Sequence, residues 1–189
     1  MSAGADEEPE LREIEHSVDA ELPASYREFL KRFGGCGLRG PSVKNSFVGF
    51  VPVSPVPITG SKDQLLFEVF YGAPRTDRDR KGRDQYSLLH RNTGFHQHEQ
   101  IPANMLLIGT DEHGEICLCV KGPDAGKIYY WDYLSEPDWE DVEDYEDDAF
   151  LMEYGEPKPV DGGSNHLYLV AESFEDLLER LEPGRFLED

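Results

Sequence analysis

Residues 105–133 read MLLIGTDEHGEICLCVKGPDAGKIYYWDY, and they are the most regularly patterned part of this 189-residue chain. Three apolar runs, LLIG, EICLCV and KIYYWDY, are separated by DEHG and KGPDAGK. Both separators contain Gly and Asp, the residues that tight chain reversals favour. Short apolar runs between such turns are typical of strands. The stretch therefore predicts an antiparallel meander of three strands.

Further along, the chain adds a strand and a helix to this pattern. HLYLVA, residues 166–171, predicts a fourth strand. Ser173 then precedes FEDLLERL and is a typical N-cap for a helix. The residues expected to face inward from that helix are Phe174, Leu177, Leu178 and Leu181.

Two helices are predicted near the start of the chain, because apolar residues recur there every three or four positions. In the first helix these residues are Leu11, Ile14, Val18 and Leu22. In the second helix they are Leu22, Tyr26, Phe29, Leu30 and Phe33. Each helix has one apolar stripe and one polar face, so we expect the two to pack as a pair.

The second helix runs into the glycine-rich sequence GGCG, residues 34–37. A phosphate-binding loop needs its glycines before a helix, where free N–H groups face the anion. Here the glycines follow the helix. We therefore expect Gly34 or Gly35 to end the helix in the left-handed conformation, as a structural cap.

The middle of the chain is less regular. SFVGFVPVSPVPI, residues 46–58, is rich in Val, Phe and Pro and predicts an extended segment at a sheet edge. LLFEVFYG, residues 65–72, predicts a strand. The arginine-rich residues 73–85 predict a solvated loop, and YSLLHRN, residues 86–92, a helix.

The overall charge narrows the possible partners. Lys and Arg number 18 and Asp and Glu number 39, which gives a formal net charge of −21. Such a charge repels nucleic acid and anionic membranes and favours basic partners.

The first ten residues are acidic, whereas a secretory signal begins with positive charge, and no apolar run is long enough for a membrane span. We therefore expect a cytoplasmic protein. The three cysteines, Cys36, Cys117 and Cys119, are expected to be reduced.

The negative charge is concentrated in SEPDWEDVEDYEDDAFLMEYGE, residues 135–156. Eleven of these residues are Asp or Glu, and no Lys or Arg occurs between Lys127 and Lys158. Acids alone are typical of a solvated tail, whereas acids interleaved with aromatic residues are typical of a contact surface. We therefore predict a partner-binding surface made of Asp138, Trp139, Glu140, Asp141, Glu143, Asp144, Tyr145, Glu146, Asp147 and Asp148.

The alternative for this segment is that Trp139 and Tyr145 pack against the domain. The acids would then stay solvated or pair with the basic residues of the loop at 75–83.

Catalytic patterns are weak throughout the chain. The clustered acids match no Ca²⁺-binding loop, and no phosphate loop occurs. His90, His96 and His98 have no Cys pair at a spacing that would complete a zinc site. Asp111 lies in a Gly-containing turn, where an Asp commonly bonds its own backbone, and no nucleophile has a recognisable partner. We predict a protein that is not an enzyme and binds no cofactor or metal, with a metal-dependent hydrolase as the remaining enzymatic alternative.

Three blocks of the sequence together resemble the SUKH superfamily, which includes fungal cell-wall-assembly regulators and many bacterial immunity proteins. The first block contains Leu22, Pro23, Tyr26, Phe29, Leu30, Gly34 and Gly35. The second contains Ile108, Gly109, Asp111 and Gly114, followed by Gly126, Ile128, Tyr129, Trp131 and Asp132. The third is VAESFEDLLERL, residues 170–181.

The resemblance implies an α+β fold with a single, mostly antiparallel sheet and helices packed against it. Residues 1–189 are then expected to form one domain, with a disordered start at residues 1–8 and an acidic insertion at residues 135–165. It also implies a binding role, since members of this superfamily commonly neutralise toxin domains in competition between bacteria.

Together these observations predict an immunity protein that binds a cognate toxin, specifically a basic nuclease, through the acidic segment. A nuclease must present positive charge to hold phosphates, and an acidic surface can occupy that groove. The non-enzymatic alternative is an intracellular regulatory scaffold of the cell-wall-assembly type.

Overall fold

The computed structural model describes residues 8–38, 48–54, 56, 64–72, 87–97, 101–110, 114–132 and 167–183. The helices in these ranges are α1 (Glu8–Ser17), α2 (Ala24–Phe33), α3 (Leu88–Gln97) and α4 (Phe174–Glu179). The strands are β1 (Cys36–Gly37), β2 (Val48–Phe50), β3 (Leu65–Phe67), β4 (Val69–Phe70), β5 (Met105–Thr110), β6 (Glu115–Cys119), β7 (Ile128–Trp131), β8 (Leu167–Ala171) and β9 (Leu181–Pro183).

The larger sheet has six strands in the order β1-β4-β5-β6-β7-β8, and every neighbouring pair is antiparallel. It contains the predicted meander as β5, β6 and β7, with the predicted fourth strand, β8, next to β7. One row of register partners crosses the whole sheet: Gly37, Val69, Thr110, Glu115, Trp131 and Leu167. Since β5 and β7 end at this row and β6 and β8 begin there, the row marks one end of the sheet.

The core lies on both faces of the central strands. Every residue of β6 is buried, and so are the first five residues of β5. On one face, aromatic rings of α2 and α4 pack on β4: the ring centroids of Phe29 and Phe70 are 4.8 Å apart, and those of Phe29 and Phe174 are 5.1 Å apart. Tyr26 meets Phe174 edge-on at 4.9 Å. Such edge-to-face contacts add to the stabilisation from burial.

A side chain of α3 completes the edge of β5 where β4 no longer pairs with it. The Leu107 N–H donates to Asn92 Oδ1 at 2.7 Å, and Asn92 Nδ2 donates to the Leu107 carbonyl at 3.0 Å. The same Nδ2 donates to the Leu88 carbonyl at 2.7 Å. The buried amide of Asn92 therefore takes the place of a neighbouring strand and satisfies backbone groups that water cannot reach.

A second, three-stranded sheet was not predicted. Its order is β3-β2-β9, with both pairs antiparallel. The predicted single strand at 65–72 is divided, because β3 belongs to this sheet and β4 to the larger one. The prediction of an edge position for the Pro-rich segment was wrong, since β2 is the middle strand. Pro52 follows β2 and does not interrupt its ladder.

The predicted helix pair is confirmed by a shared ion pair. Glu15 of α1 accepts hydrogen bonds from Arg27 of α2 and, at 3.2 Å, from the N–H of Leu22, two residues before α2. Phe33 departs from the prediction, since it is 40% exposed, with the Arg32 guanidinium 5.1 Å from its ring centroid. It is the last residue of α2, and its ring lies on the outer side of the helix end while Gly34, the next residue, is buried.

The glycine exit from α2 is structural, as predicted. Gly34 has φ 60° and ψ −145° and donates its N–H to the Leu30 carbonyl at 2.8 Å. Its φ is positive, but its ψ differs from the left-handed helical value that was expected. A Cβ on Gly35 would lie 2.8 Å from the Gly72 nitrogen, so close backbone packing explains the second glycine.

At the other end of the domain, α4 begins as predicted, because Ser173 Oγ accepts a hydrogen bond from the Asp176 N–H at 3.1 Å. Phe174 and Leu177 are buried and Leu178 is half-buried. Leu181 lies in β9 instead of the helix, as the register partner of Phe50. The α+β fold with helices against an antiparallel sheet is confirmed.

Candidate partner-binding surface

The ten residues predicted to bind a partner, Asp138 to Asp148, lie outside the described residues. The structure does describe the two points where the connection that contains them meets the sheet. This connection, residues 133–166, is called the acidic connection below. It leaves the sheet after Asp132 and returns at Leu167.

The two ends of the acidic connection are neighbours in the sheet. Trp131, at the end of β7, and Leu167, at the start of β8, are register partners. Directly opposed residues of antiparallel strands have Cα atoms about 5 Å apart. The acidic connection therefore joins two neighbouring antiparallel strands, and both of its ends meet the sheet at the same end.

Trp131 is held in the sheet beside a buried carboxylate. It is 1% exposed, and its register partner on the other side is Glu115, the first residue of β6, which is 0% exposed. Glu115 Oε2 accepts a hydrogen bond from the Tyr71 hydroxyl at 2.7 Å. Glu115 Oε1 accepts from Arg91 of α3, through Nε at 3.1 Å and through a terminal guanidinium nitrogen. We call these three side chains the Glu115 cluster.

The Glu115 cluster is electrostatically coupled. Burial, and then the negative charge of Glu115, raise the pKa of Tyr71 above its ordinary value of 10.0. The tyrosine therefore remains a donor to the carboxylate at all physiological pH values. Arg91 supplies the positive charge that a buried carboxylate requires. The cluster joins the chain after β4, helix α3 and the start of β6, and its Glu115 is part of the row of register partners that includes Trp131 and Leu167.

Sequence reasoning missed this cluster. Its members are far apart in the chain, and only one local signal was available: Glu115 opens an otherwise apolar run, EICLCV. A charged residue in a fully buried strand needs a partner, so this position could have been marked. Which Arg and Tyr would meet it depends on the strand order.

The arginine-rich loop that was proposed as an internal partner of the acids leaves from a different part of the sheet. Its base is formed by Gly72 and Ser87, which pair in an isolated bridge, and the Leu88 N–H donates to the Gly72 carbonyl at 3.0 Å. Gly72 follows β4, three residues after Val69, whereas Trp131 lies in β7. Strands β5 and β6 lie between β4 and β7 in the sheet. Standard strand dimensions place these two bases about 10 Å apart along the strands and about 14 Å across them. The pairing of that loop with the acids stays a prediction.

Sequence comparison adds to this geometry. The chain matches the SMI1 / KNR4 family (SUKH-1) over residues 5–180. The chain belongs to the SUKH-1 family. It is also similar to the SPbeta prophage-derived uncharacterized protein YokK of Bacillus subtilis (strain 168), with 32% identity over 136 residues. That match covers 68% of this chain and 64% of the relative, so the chain spans slightly less than two thirds of the relative's length.

The residues that carry the SUKH resemblance in the sequence lie in the core or at close backbone contacts. Tyr26, Leu30 and Ile128 are in the core. A Cβ on Gly109 would lie 2.5 Å from the Val69 carbonyl oxygen and 2.7 Å from Cζ of Phe67, so the glycine allows close packing of β4 and of that ring. These residues therefore contribute to the core and to its close packing.

In the described part of this SUKH-1 protein, Cys117 and Cys119 are free and buried. Burial raises the pKa of the Cys117 and Cys119 thiols, which disfavours the reactive thiolate. Within the described ranges, no three His, Cys, Asp or Glu side chains are grouped so that they could hold a metal ion. Among the described helices, none is both long and apolar enough to cross a membrane. The predictions of a non-enzymatic, cofactor-free and cytoplasmic protein remain predictions.

Proposed function

We propose that this SUKH-1 protein is an immunity protein that binds a cognate toxin domain through the acidic connection and blocks its activity. One observation carries the proposal: the most acidic part of the chain is attached between two paired residues, Trp131 and Leu167, at one end of the sheet. The strand pairs and the core described above are formed by other residues. Many negative charges in one connection of a folded domain attract a cationic protein.

The chemistry favours a nuclease as the toxin. An enzyme that acts on a polyanion presents positive charge at its active site, because it must hold phosphates. Closely spaced carboxylates imitate that polyanion, and Trp139 and Tyr145 are residue types that often supply the buried anchors of an interface. The acids would speed the encounter, and the rings would slow dissociation. The prophage-derived relative is compatible with a gene that moves together with a toxin gene.

The test is to express the reading frame immediately upstream of this gene, with and without this protein. An immunity protein should restore growth and form a tight 1:1 complex with that product. A scaffold would instead show several weaker partners and no rescue. Growth inhibition that this protein does not relieve, together with no complex, would reject the proposal.

The role of the acidic connection is tested by binding kinetics. Replacing Glu140, Asp141, Glu143 and Asp144 with Gln or Asn should slow association about tenfold and weaken its dependence on salt. Trp139→Ala should instead raise the dissociation rate. The matched control also removes four exposed negative charges, from α1, α2 and the turn between them: Glu13→Gln, Asp19→Asn, Glu21→Gln and Glu28→Gln. If the acidic-connection variants bind like this control, the toxin docks elsewhere.

A further inference from the structure

The larger sheet has two edge strands, β1 and β8. An edge strand presents backbone N–H and C=O groups to any chain that can pair with them, and proteins usually shield such edges by shortness, charge, proline or a covering segment. β1 is shielded by its length, since it consists of Cys36 and Gly37 alone. The edge of β5 is shielded by the amide of Asn92. The edges of β1 and β5 are therefore both shielded from pairing with another chain.

β8 differs from these two edges. Its five residues, Leu167–Ala171, include neither a charged residue nor a proline, although charged residues make up 30% of the chain. Within the described ranges, the contact on its outer edge is the Val53 N–H, which donates to the Val170 carbonyl at 3.0 Å. Leu167, Tyr168 and Leu169 are half-buried, and no described strand pairs with β8 on this side. Among the described residues, this half of the edge is therefore the place where another strand can be added to the larger sheet.

Charge identifies the kind of strand that fits. The acidic connection leads directly into Leu167, and three exposed carboxylates follow β8, those of Glu172, Glu175 and Glu179. An apolar edge between two acidic segments suits a strand from a cationic protein. It does not suit a second copy of this chain, because two molecules with a net charge of −21 repel each other.

We propose that a β-strand of the cationic toxin pairs with the outer edge of β8 at Leu167–Leu169 and extends the six-stranded sheet. This inference rests on the proposed function and deepens it by naming the docking edge. In such strand addition, main-chain hydrogen bonds supply affinity and the alternating side chains supply specificity. The acidic connection attracts the toxin, and β8 holds it.

Amide exchange measured by NMR tests the edge directly, on the full chain alone and bound to a catalytically inactive form of the upstream gene product. At least one amide among Leu167, Tyr168 and Leu169 should exchange quickly in the free protein and about tenfold or more slowly in the complex. The amides of Cys36 and Gly37, at the other edge, should not change. Protection of all three β8 amides already in the free protein would overturn the proposal. If that protection grows with protein concentration, a second copy covers the edge.

Binding to the same inactive product gives the second test. Tyr168→Glu adds a negative charge, so general attraction alone predicts equal or tighter binding. Docking on β8 predicts binding that is about 10 to 100 times weaker, because the new carboxylate would be buried at the added strand. Phe33→Glu is the matched control, with the same charge change on an exposed ring at the end of α2, and it should bind at least as tightly as the wild type.

The possible failures can be told apart. Full affinity of Tyr168→Glu overturns the docking edge and leaves the immunity function intact. A wild-type protein that binds no upstream product overturns the proposed function and this inference with it. If Tyr168→Glu does not fold, the exchange measurement on the wild type decides the question.

Discussion

At the scale of single residues, Glu115 is the side chain that sequence patterns describe least well. It opens a strand whose every residue is buried, and it is itself 0% exposed. Removing a carboxylate from water costs several kcal/mol, which only good hydrogen bonds and an opposite charge offset. Tyr71 and Arg91 provide both. Glu115 of β6 therefore links the chain after β4 and helix α3 through its carboxylate.

Glu115→Gln should lower the free energy of unfolding by about 2–4 kcal/mol. The amide keeps the size of the side chain but removes the negative charge, so Arg91 loses its counter-charge. Arg91 is 30% exposed and can be partly rehydrated, which places the expected loss toward the lower part of this range. Urea denaturation measures the change. Glu13→Gln, on the exposed face of α1, is the control and should change stability by less than about 0.5 kcal/mol. Equal stability of the two variants would show that the cluster contributes nothing.

Tyr71 should make stability depend on pH in the alkaline range. Its folded-state pKa lies above the ordinary value of 10.0, so the unfolded chain loses this proton first as the pH rises. The contribution to stability is complete below pH 10.0 and is lost progressively above it. The difference in the free energy of unfolding between wild type and Tyr71→Phe should therefore fall by up to about 1.4 kcal/mol per pH unit above pH 10. Urea denaturation between about pH 8 and pH 11 measures it. A difference independent of pH would contradict the buried geometry of this hydroxyl.

At the scale of elements, the sequence predicted what is local and missed what depends on a distant partner. The meander, the helix pair and the Ser173 cap follow from spacing within short stretches, and all three are present. Residues 65–70 read as one apolar strand, yet Leu65–Phe67 pair with β2 and Val69–Phe70 pair with β1 and β5. Periodicity alone cannot show that a strand changes sheets, because the change is fixed by which partners are available.

Asn92 is the element-scale contact that local patterns could not reveal. Asn92→Ala should lower the free energy of unfolding by about 2–4 kcal/mol, since it leaves buried backbone groups of Leu107 and Leu88 without their partner. Amide exchange of Leu107 should accelerate more than that of any other residue in β5. The control is Asn104→Ala, which removes a weak contact to Cys119 Sγ at 3.5 Å and should cost less than about 1 kcal/mol. A Leu107 amide that stays as protected as in the wild type would mean that another group covers this edge.

At the scale of the whole molecule, the densest group of acidic residues lies in one connection of the larger sheet, between β7 and β8. The prediction of the binding residues needed only the sequence, because eleven acids and several aromatic residues in one segment are visible without a structure, and it stays a prediction. Their attachment was not predictable, since it depends on β7 and β8 being neighbours. Because Trp131 and Leu167 are neighbours, a connection of any length can join β7 to β8 without changing their pairing. The same adjacency allows binding and folding to be separated by experiment.

Replacing residues 133–166 with Gly-Asn-Gly should leave the domain folded and abolish tight binding of the upstream product. Together with Asp132 the new loop has about four residues, a common length for a hairpin between paired strands. A shorter loop costs less closure entropy, so the free energy of unfolding should rise by up to about 2 kcal/mol if residues 133–166 add nothing to the core. Thermal and urea unfolding measure this change, and calorimetry measures binding.

The sign of the stability change decides between the two interpretations of the aromatic residues in the acidic connection. A shortened protein that is less stable by more than about 2 kcal/mol would mean that Trp139 and Tyr145 pack into the domain, because burying such rings contributes about that much each. The full-length variant with Glu140, Asp141, Glu143 and Asp144 neutralised is the control, since it keeps the rings and loses the charge. Loss of binding in both variants, with undiminished stability, would assign the acidic connection to the partner alone.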